Sequence, residues 1–142
     1  MGAVLAIDWG TRKSGFAFAD ATRIIVKPLD AVRLAGDSVE LLEHVATLDD
    51  ERGFDTFLVS LPVLEDGTDG TQADLVRAFC TKLAERFRAA RVVPYPERLT
   101  SKEAEDRLRE AGIRGRELKE QRDSWSAWVL LEDWLRSGEP SV

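Results

Sequence analysis

The chain has 142 residues, enough for one compact core and too few for two ordinary domains side by side, so a single domain over residues 1–142 is expected. An apolar share of 44% with a charged share of 32% excludes a disordered chain. The net charge of −6 argues against gripping a polyanion through the global field, so any phosphate contact must come from local patches.

No apolar run approaches the length needed to span a membrane, and no basic stretch precedes an apolar segment at the N-terminus. A cytoplasmic protein with no membrane partner is expected. The single cysteine, Cys80, stands among Val76, Phe79 and Leu83 and reads as a small core residue.

In chain order, residues 3–8, 14–19 and 23–27 are short β-rich runs separated by turn-sized gaps, which predicts a three-stranded meander. Asp37 and Glu40 have capping-box spacing, and Val39, Leu42, Val45 and Ala46 follow at helical spacing, predicting a helix that ends near Gly53. Residues 54–61 form an apolar strand stopped by Pro62. A polar loop then leads to Thr71 and Asp74, a second capping pair, and to a helix with Leu75, Val76, Phe79, Cys80, Leu83 and Phe87 on one face. Residues 92–95 predict a buried fifth strand. Thr100 and Glu103 open a short helix that Gly112 ends. Residues 112–121 are charged and without period and predict a mobile loop. Residues 123–136 predict a last helix whose Trp125, Trp128, Val129, Leu131, Trp134 and Leu135 ring it almost completely, fitting burial against a sheet or cover by a second copy. A homodimer and a completed monomer core are both open on this pattern. A meander followed by βα units implies an α/β fold: a five-stranded mixed sheet with helices on both faces.

Three acids stand where apolar elements end or begin: Asp8 after the first strand, Glu97 after the fifth, and Asp123 at the predicted start of the last helix. Open sheets place ligands at strand ends. Carboxylates brought together repel unless a cation neutralises them, and hard oxygen donors suit Mg²⁺ or Mn²⁺ rather than Zn²⁺. Two such ions roughly 4 Å apart can activate water and stabilise the leaving oxygen of a displacement at phosphorus. Taken singly, Asp8 could equally make a turn, Glu97 could be an exposed loop acid, and Asp123 could favour a helix N-terminus. His44 reads as a bystander on a helix.

The surrounding text resembles the YqgF (RuvX-like) family of RNase H-fold nucleases, whose members are described as Holliday-junction-resolvase-like and as pre-16S rRNA nucleases. Residues 5–20, LAIDWGTRKSGFAFAD, resemble its opening strand and hairpin, and 61–73, LPVLEDGTDGTQA, its LP…G loop. Residues 97–104, ERLTSKEA, resemble its second acidic motif, and 122–131, RDSWSAWVLL, its closing helix. The resemblance implies an RNase H-like fold, with Asp8, Glu97 and Asp123 as catalytic, metal-holding carboxylates. It implies nucleic acid as partner: precursor rRNA, single-stranded RNA or branched DNA. Pro96 where an acid is frequent, Ser60 for a glycine, and bulky Trp125 and Trp128 depart from the family pattern.

Candidate phosphate contacts are Arg12 and Lys13 in the hairpin turn, the helix start at Thr71 behind the loop 64–70, and Arg114, Arg116, Lys119 and Arg122 ahead of Asp123. Trp9, beside Asp8, could stack on a base or simply pack. The segment Asp8-Trp9-Gly10-Thr11 also looks like the phosphate-binding hairpin of actin-like ATPases, but those enzymes close two such domains over a nucleotide. A non-catalytic binding protein of the same fold is the other alternative, and the intact acid trio speaks against it.

Overall fold

A computed structural model describes residues 2–63, 72–97 and 100–141, without the side chains of Glu97 and Thr100. The elements run β1 (Ala3–Asp8), β2 (Ser14–Ala19), β3 (Val26–Val32), α1 (Val39–Arg52), β4 (Phe54–Pro62), α2 (Ala73–Arg86), β5 (Arg91–Glu97), α3 (Thr100–Glu110) and α4 (Gly115–Arg136). The sheet order is β3-β2-β1-β4-β5; β1 pairs antiparallel with β2 and parallel with β4, and β4 pairs parallel with β5. This is the expected mixed sheet.

The centre strand β1 is apolar on both faces because both are covered. Ala3, Leu5 and Ile7 join Phe16, Phe18 and Phe57 under α1 and α2, where Leu41, Val45, Val76, Phe79 and Leu83 close the core. Val4 and Ala6 point the other way, with Ala17, Ala19 and Leu58, against Ala127, Leu130, Leu131 and Trp134 of α4. Alternation along β2 explains how near α4 comes: Gly15, Ala17 and Ala19 share one face, and all are small. Helix α3 packs in turn on α4, burying Ala104 and Leu108 one helical turn apart. Among the described residues no helix is long and apolar enough to cross a membrane.

Four expectations shift. The third strand starts at Val26 rather than Arg23, because Asp20 organises a turn: its Oδ1 accepts from the Ile25 amide, its Oδ2 from the Thr22 hydroxyl, and Arg23 takes a left-handed φ of 64° that no strand tolerates. Ile24 is left 83% exposed. Helix α1 is capped by Ser38, whose Oγ accepts from the Leu41 amide, one residue after the expected Asp37. The predicted mobile loop at 112–121 is mostly helix, since α4 begins at Gly115. Its Arg, Glu, Leu, Lys and Gln residues are good helix formers, and buried Leu118 anchors the turn. Leu75, expected in the core, is 48% exposed.

Candidate active site

Asp8 is the last residue of β1 and is half-buried. Its cross-strand partner on β2 is Gly15. A Cβ built on Gly15 would fall 2.1 Å from the backbone carbonyl carbon of Asp123 and 2.3 Å from the Ser124 nitrogen. No side chain fits there, so the middle of α4 rests directly on the strand beside Asp8. The β2–β3 register shifts between Ser14 and Phe16, and the buried Phe16 amide donates instead to Ser124 Oγ at 3.0 Å. One glycine contact and one buried hydrogen bond therefore bring Asp123 to the end of β1.

Asp123 consequently lies in the third turn of a 22-residue helix, not in its first turn. The macrodipole, which acts within the terminal turn, gives no account of an acid there. Its nearest described cation is Lys13, whose Nζ stands 3.7 Å from Asp123 Oδ2 and donates to the carbonyls of Lys119 and Glu120 at 2.8 and 3.0 Å. Lys13 is thus turned inward, with 15% of its side chain exposed, while neighbouring Arg12 is exposed at the hairpin tip.

Glu97 ends β5 in register with Pro62 at the end of β4. All three acids belong to the same end of the sheet, where β1, β4 and β5 finish. No group of three or more acidic, His or Cys side chains that could hold a metal is formed among the described residues, and the Glu97 side chain is not one of those.

The hairpin beside Asp8 is held from several sides. Gly10 donates its amide to Ser14 Oγ at 3.2 Å, and a Cβ at Gly10 would lie 2.3 Å from the Lys13 carbonyl oxygen. Trp9 Nε1 donates to the Gly36 carbonyl at 2.9 Å, and the Gly36 amide returns a bond to Thr11 at 2.9 Å. A cleft of about 310 Å³ opens here between Asp8, Gly10, Thr11, Ser60, Pro62 and Gln72.

The proposed phosphate contacts are placed unequally. Arg116 and Lys119 precede Asp123 by seven and four residues on α4 and share its helical face. Arg122 turns toward α3, 3.6 Å from Glu105, and Arg114 is exposed at the helix cap. Thr71 and the loop 64–70 lie outside the described residues. His44 stands on α1 with its ring 5.3 Å from that of Phe16, and burial lowers its pKa below the usual 6.5. Burial pushes the Cys80 thiol up to about 11, which removes it as a nucleophile near neutral pH. Sequence reading missed Ser124 and Gly36. The small-residue alternation Gly15, Ala17, Ala19 was the available signal for the close approach of α4.

This sheet order, with acids at the ends of the central strand β1 and the edge strand β5 and on the helix crossing the sheet, defines an RNase H-like fold of the resolvase type. Thermus thermophilus RuvC in complex with Holliday junction substrate matches it with a TM-score of 0.57 at 13% identity, over 96% of this chain and 97% of that one. The fowlpox virus resolvase complexed with Holliday junction DNA matches at 0.60 and 11%, over 97% and 99%. At such identities the likeness is one of fold. The family comes from the sequence: the family model described as "RuvX: Holliday junction resolvase" matches residues 2–137, and the chain belongs to this family of nucleases. A relative from Anaeromyxobacter sp. (strain Fw109-5), named "Putative pre-16S rRNA nuclease", is 39% identical over 92% of this chain and 94% of its own length. One of the same name from Chloroflexus aurantiacus (strain ATCC 29366 / DSM 635 / J-10-fl) is 34% identical over 93% and 85%.

Proposed function

We propose that this single domain is a cytoplasmic, divalent-metal-dependent endonuclease that hydrolyses phosphodiesters of structured nucleic acid, with Asp8, Glu97 and Asp123 as the residues that hold Mg²⁺ or Mn²⁺. The observation that carries the reading is the contact of the α4 backbone at Asp123 with Gly15, the strand partner of Asp8. An acid in the third turn of a helix caps nothing, and its backbone lies against the strand partner of a second acid, with Lys13 3.7 Å away as the cation that offsets it.

The donor set fits the group. Carboxylate oxygens are the ligands hard divalent cations take, and no thiol or imidazole stands near to favour a softer ion. Bound there, the cations would supply an activated water and charge stabilisation of the leaving oxygen. The chain's own residues position the rest. Lys13 ties the α4 carbonyls of Lys119 and Glu120 and steadies Asp123. Arg12, Arg116 and Lys119 offer exposed cations for backbone phosphates, Arg114 and Arg122 are further candidates, and Thr71, outside the described residues, stays a candidate from the sequence alone. Trp134 is fully buried and Trp125 meets Trp128 edge-to-face at 5.1 Å, so the tryptophans of α4 find partners within one chain and the reading needs no homodimer.

The relatives' names point to precursor 16S rRNA and the family description to Holliday junctions. Purified protein with Mn²⁺ or Mg²⁺ is therefore offered labelled precursor rRNA, single-stranded RNA and four-way DNA junctions in parallel. Metal-dependent cleavage of one of them, with precursor rRNA expected first, supports the reading. Tight binding without cleavage of any would replace it with a non-catalytic binding role.

A further inference from the structure

Beside the cleft at Asp8 lies a second one of about 270 Å³, lined by Trp9, Thr11, Leu75, Ala78, Phe79 and Lys82. Trp9 and Thr11 line both, so the two adjoin. The geometry points to the second cleft as a subsite for one unpaired nucleobase of the strand whose phosphate lies at Asp8. This inference rests on the nuclease reading and adds to it where the substrate must be unstacked.

Three features favour a base as occupant. The first is an aromatic surface: the half-buried Trp9 indole, backed by the buried Phe79 ring 5.9 Å away at a tilt of 31°, is continued by the exposed Leu75 and Ala78. Flat π-systems stack on such surfaces whatever the base. The second is rigidity. The Trp9 indole is bonded to the Gly36 carbonyl, and a Cβ on Gly36 would fall 2.4 Å from its ring, so the side chain is fixed before any ligand arrives. Ordering that is already met in the free protein does not weaken binding. The third is polarity at the rim, where Lys82 and Thr11 can meet the exocyclic carbonyl oxygens of a base or the adjoining phosphate, and Asp37 can accept from its amino groups. Leu75, 48% exposed on an amphipathic helix, is the apolar surface such a base would cover. Trp9 also lines the cleft at Asp8, so the subsite serves a nucleotide next to the reacting phosphate.

Short single strands of equal length and charge, one with bases and one wholly abasic, test this in both RNA and DNA form, with Ca²⁺ replacing the active metal. Wild type should bind the base-bearing strand about 5- to 150-fold more tightly than the abasic one. Ala78 is exposed on α2, so Ala78→Phe fills the cleft without entering the core, and an unchanged melting curve verifies its fold. That variant should lose most of the preference while keeping its affinity for the abasic strand. Lys82→Ala should weaken both strands. A preference in one sugar form only would assign the substrate as RNA or DNA. Equal binding of base-bearing and abasic strands by wild type, or an undiminished preference in Ala78→Phe, overturns the subsite and leaves the nuclease reading standing if cleavage persists. Absence of binding to every strand, together with absence of cleavage, overturns both.

Discussion

Clefts of about 310 Å³ lie at both ends of the sheet, and their charges are arranged in opposite ways. At the end where β1, β4 and β5 begin, Arg23 grips both carboxylate oxygens of Glu139 at 3.1 and 3.2 Å and bonds the Gly2 carbonyl at 2.8 Å. Arg91 approaches the same carboxylate at 3.9 Å, and Asp55 accepts the Gly2 amide. Cation and acid answer each other there, and the result is a clasp that fastens the chain end after α4 to the sheet. At the other end Asp8 and Asp123 stand on the contacting elements β1 and α4, and the cation beside Asp123, Lys13, is already bonded to two carbonyls. Two clefts of equal volume thus differ in their balance of charge.

Substitutions separate the two ends. The largest expected effect is that of Gly15→Ala, which drives a methyl into the Asp123 backbone and should cost about 3 kcal/mol by overpacking. Because α4 must shift, urea denaturation and cleavage should both register it. Arg23→Ala should destabilise by about 1.5–3 kcal/mol through the removal of charged hydrogen bonds, yet leave the cleavage rate of the folded protein unaltered. A rate loss matching that of an acid variant would erase the distinction between the ends. Next comes Arg116→Ala combined with Lys119→Ala. If both side chains reach phosphates, the slope of log affinity against log salt becomes shallower by roughly 0.7 to 0.9 for each phosphate that is no longer neutralised.

The smallest effect belongs to His44, remote from both clefts. Burial holds its folded-state pKa below 6.5, with Glu51 opposing. Above that pH both states carry a neutral ring. As pH falls through 6.5 the unfolded chain takes up a proton that the folded chain refuses, so stability declines until the folded ring also protonates. His44→Gln should flatten this part of the stability profile, and the sole imidazole should titrate by NMR below 6.5.

Element order and sheet class were legible because the apolar runs and capping residues agree with the final packing. The acids were singled out as a set by family motifs alone, since spacing left each with an ordinary use. What sequence could not give was proximity. That Gly15 faces Asp123 depends on β1–β2 register and on the path of α4, neither of which is local. The start of α4 was misjudged because residues 112–121 lack apolar period; the Gln121–Glu117 bond at 3.2 Å, buried Leu118 and the Lys13 tether support that turn instead. Strand β3 was displaced by the side chain of Asp20, whose bond to the Ile25 amide outweighs the β-propensity of Ile24 and Ile25.

The most direct test of the central claim compares Asp8→Asn, Glu97→Gln and Asp123→Asn with wild type in Mn²⁺-dependent cleavage, with metal-free melting recorded on the same samples. Each variant should lose cleavage while melting at the wild-type temperature or above it, because clustered negative charge has been relieved. Cleavage at the wild-type rate in all three would contradict the assignment of this end of the sheet as the metal-holding active site.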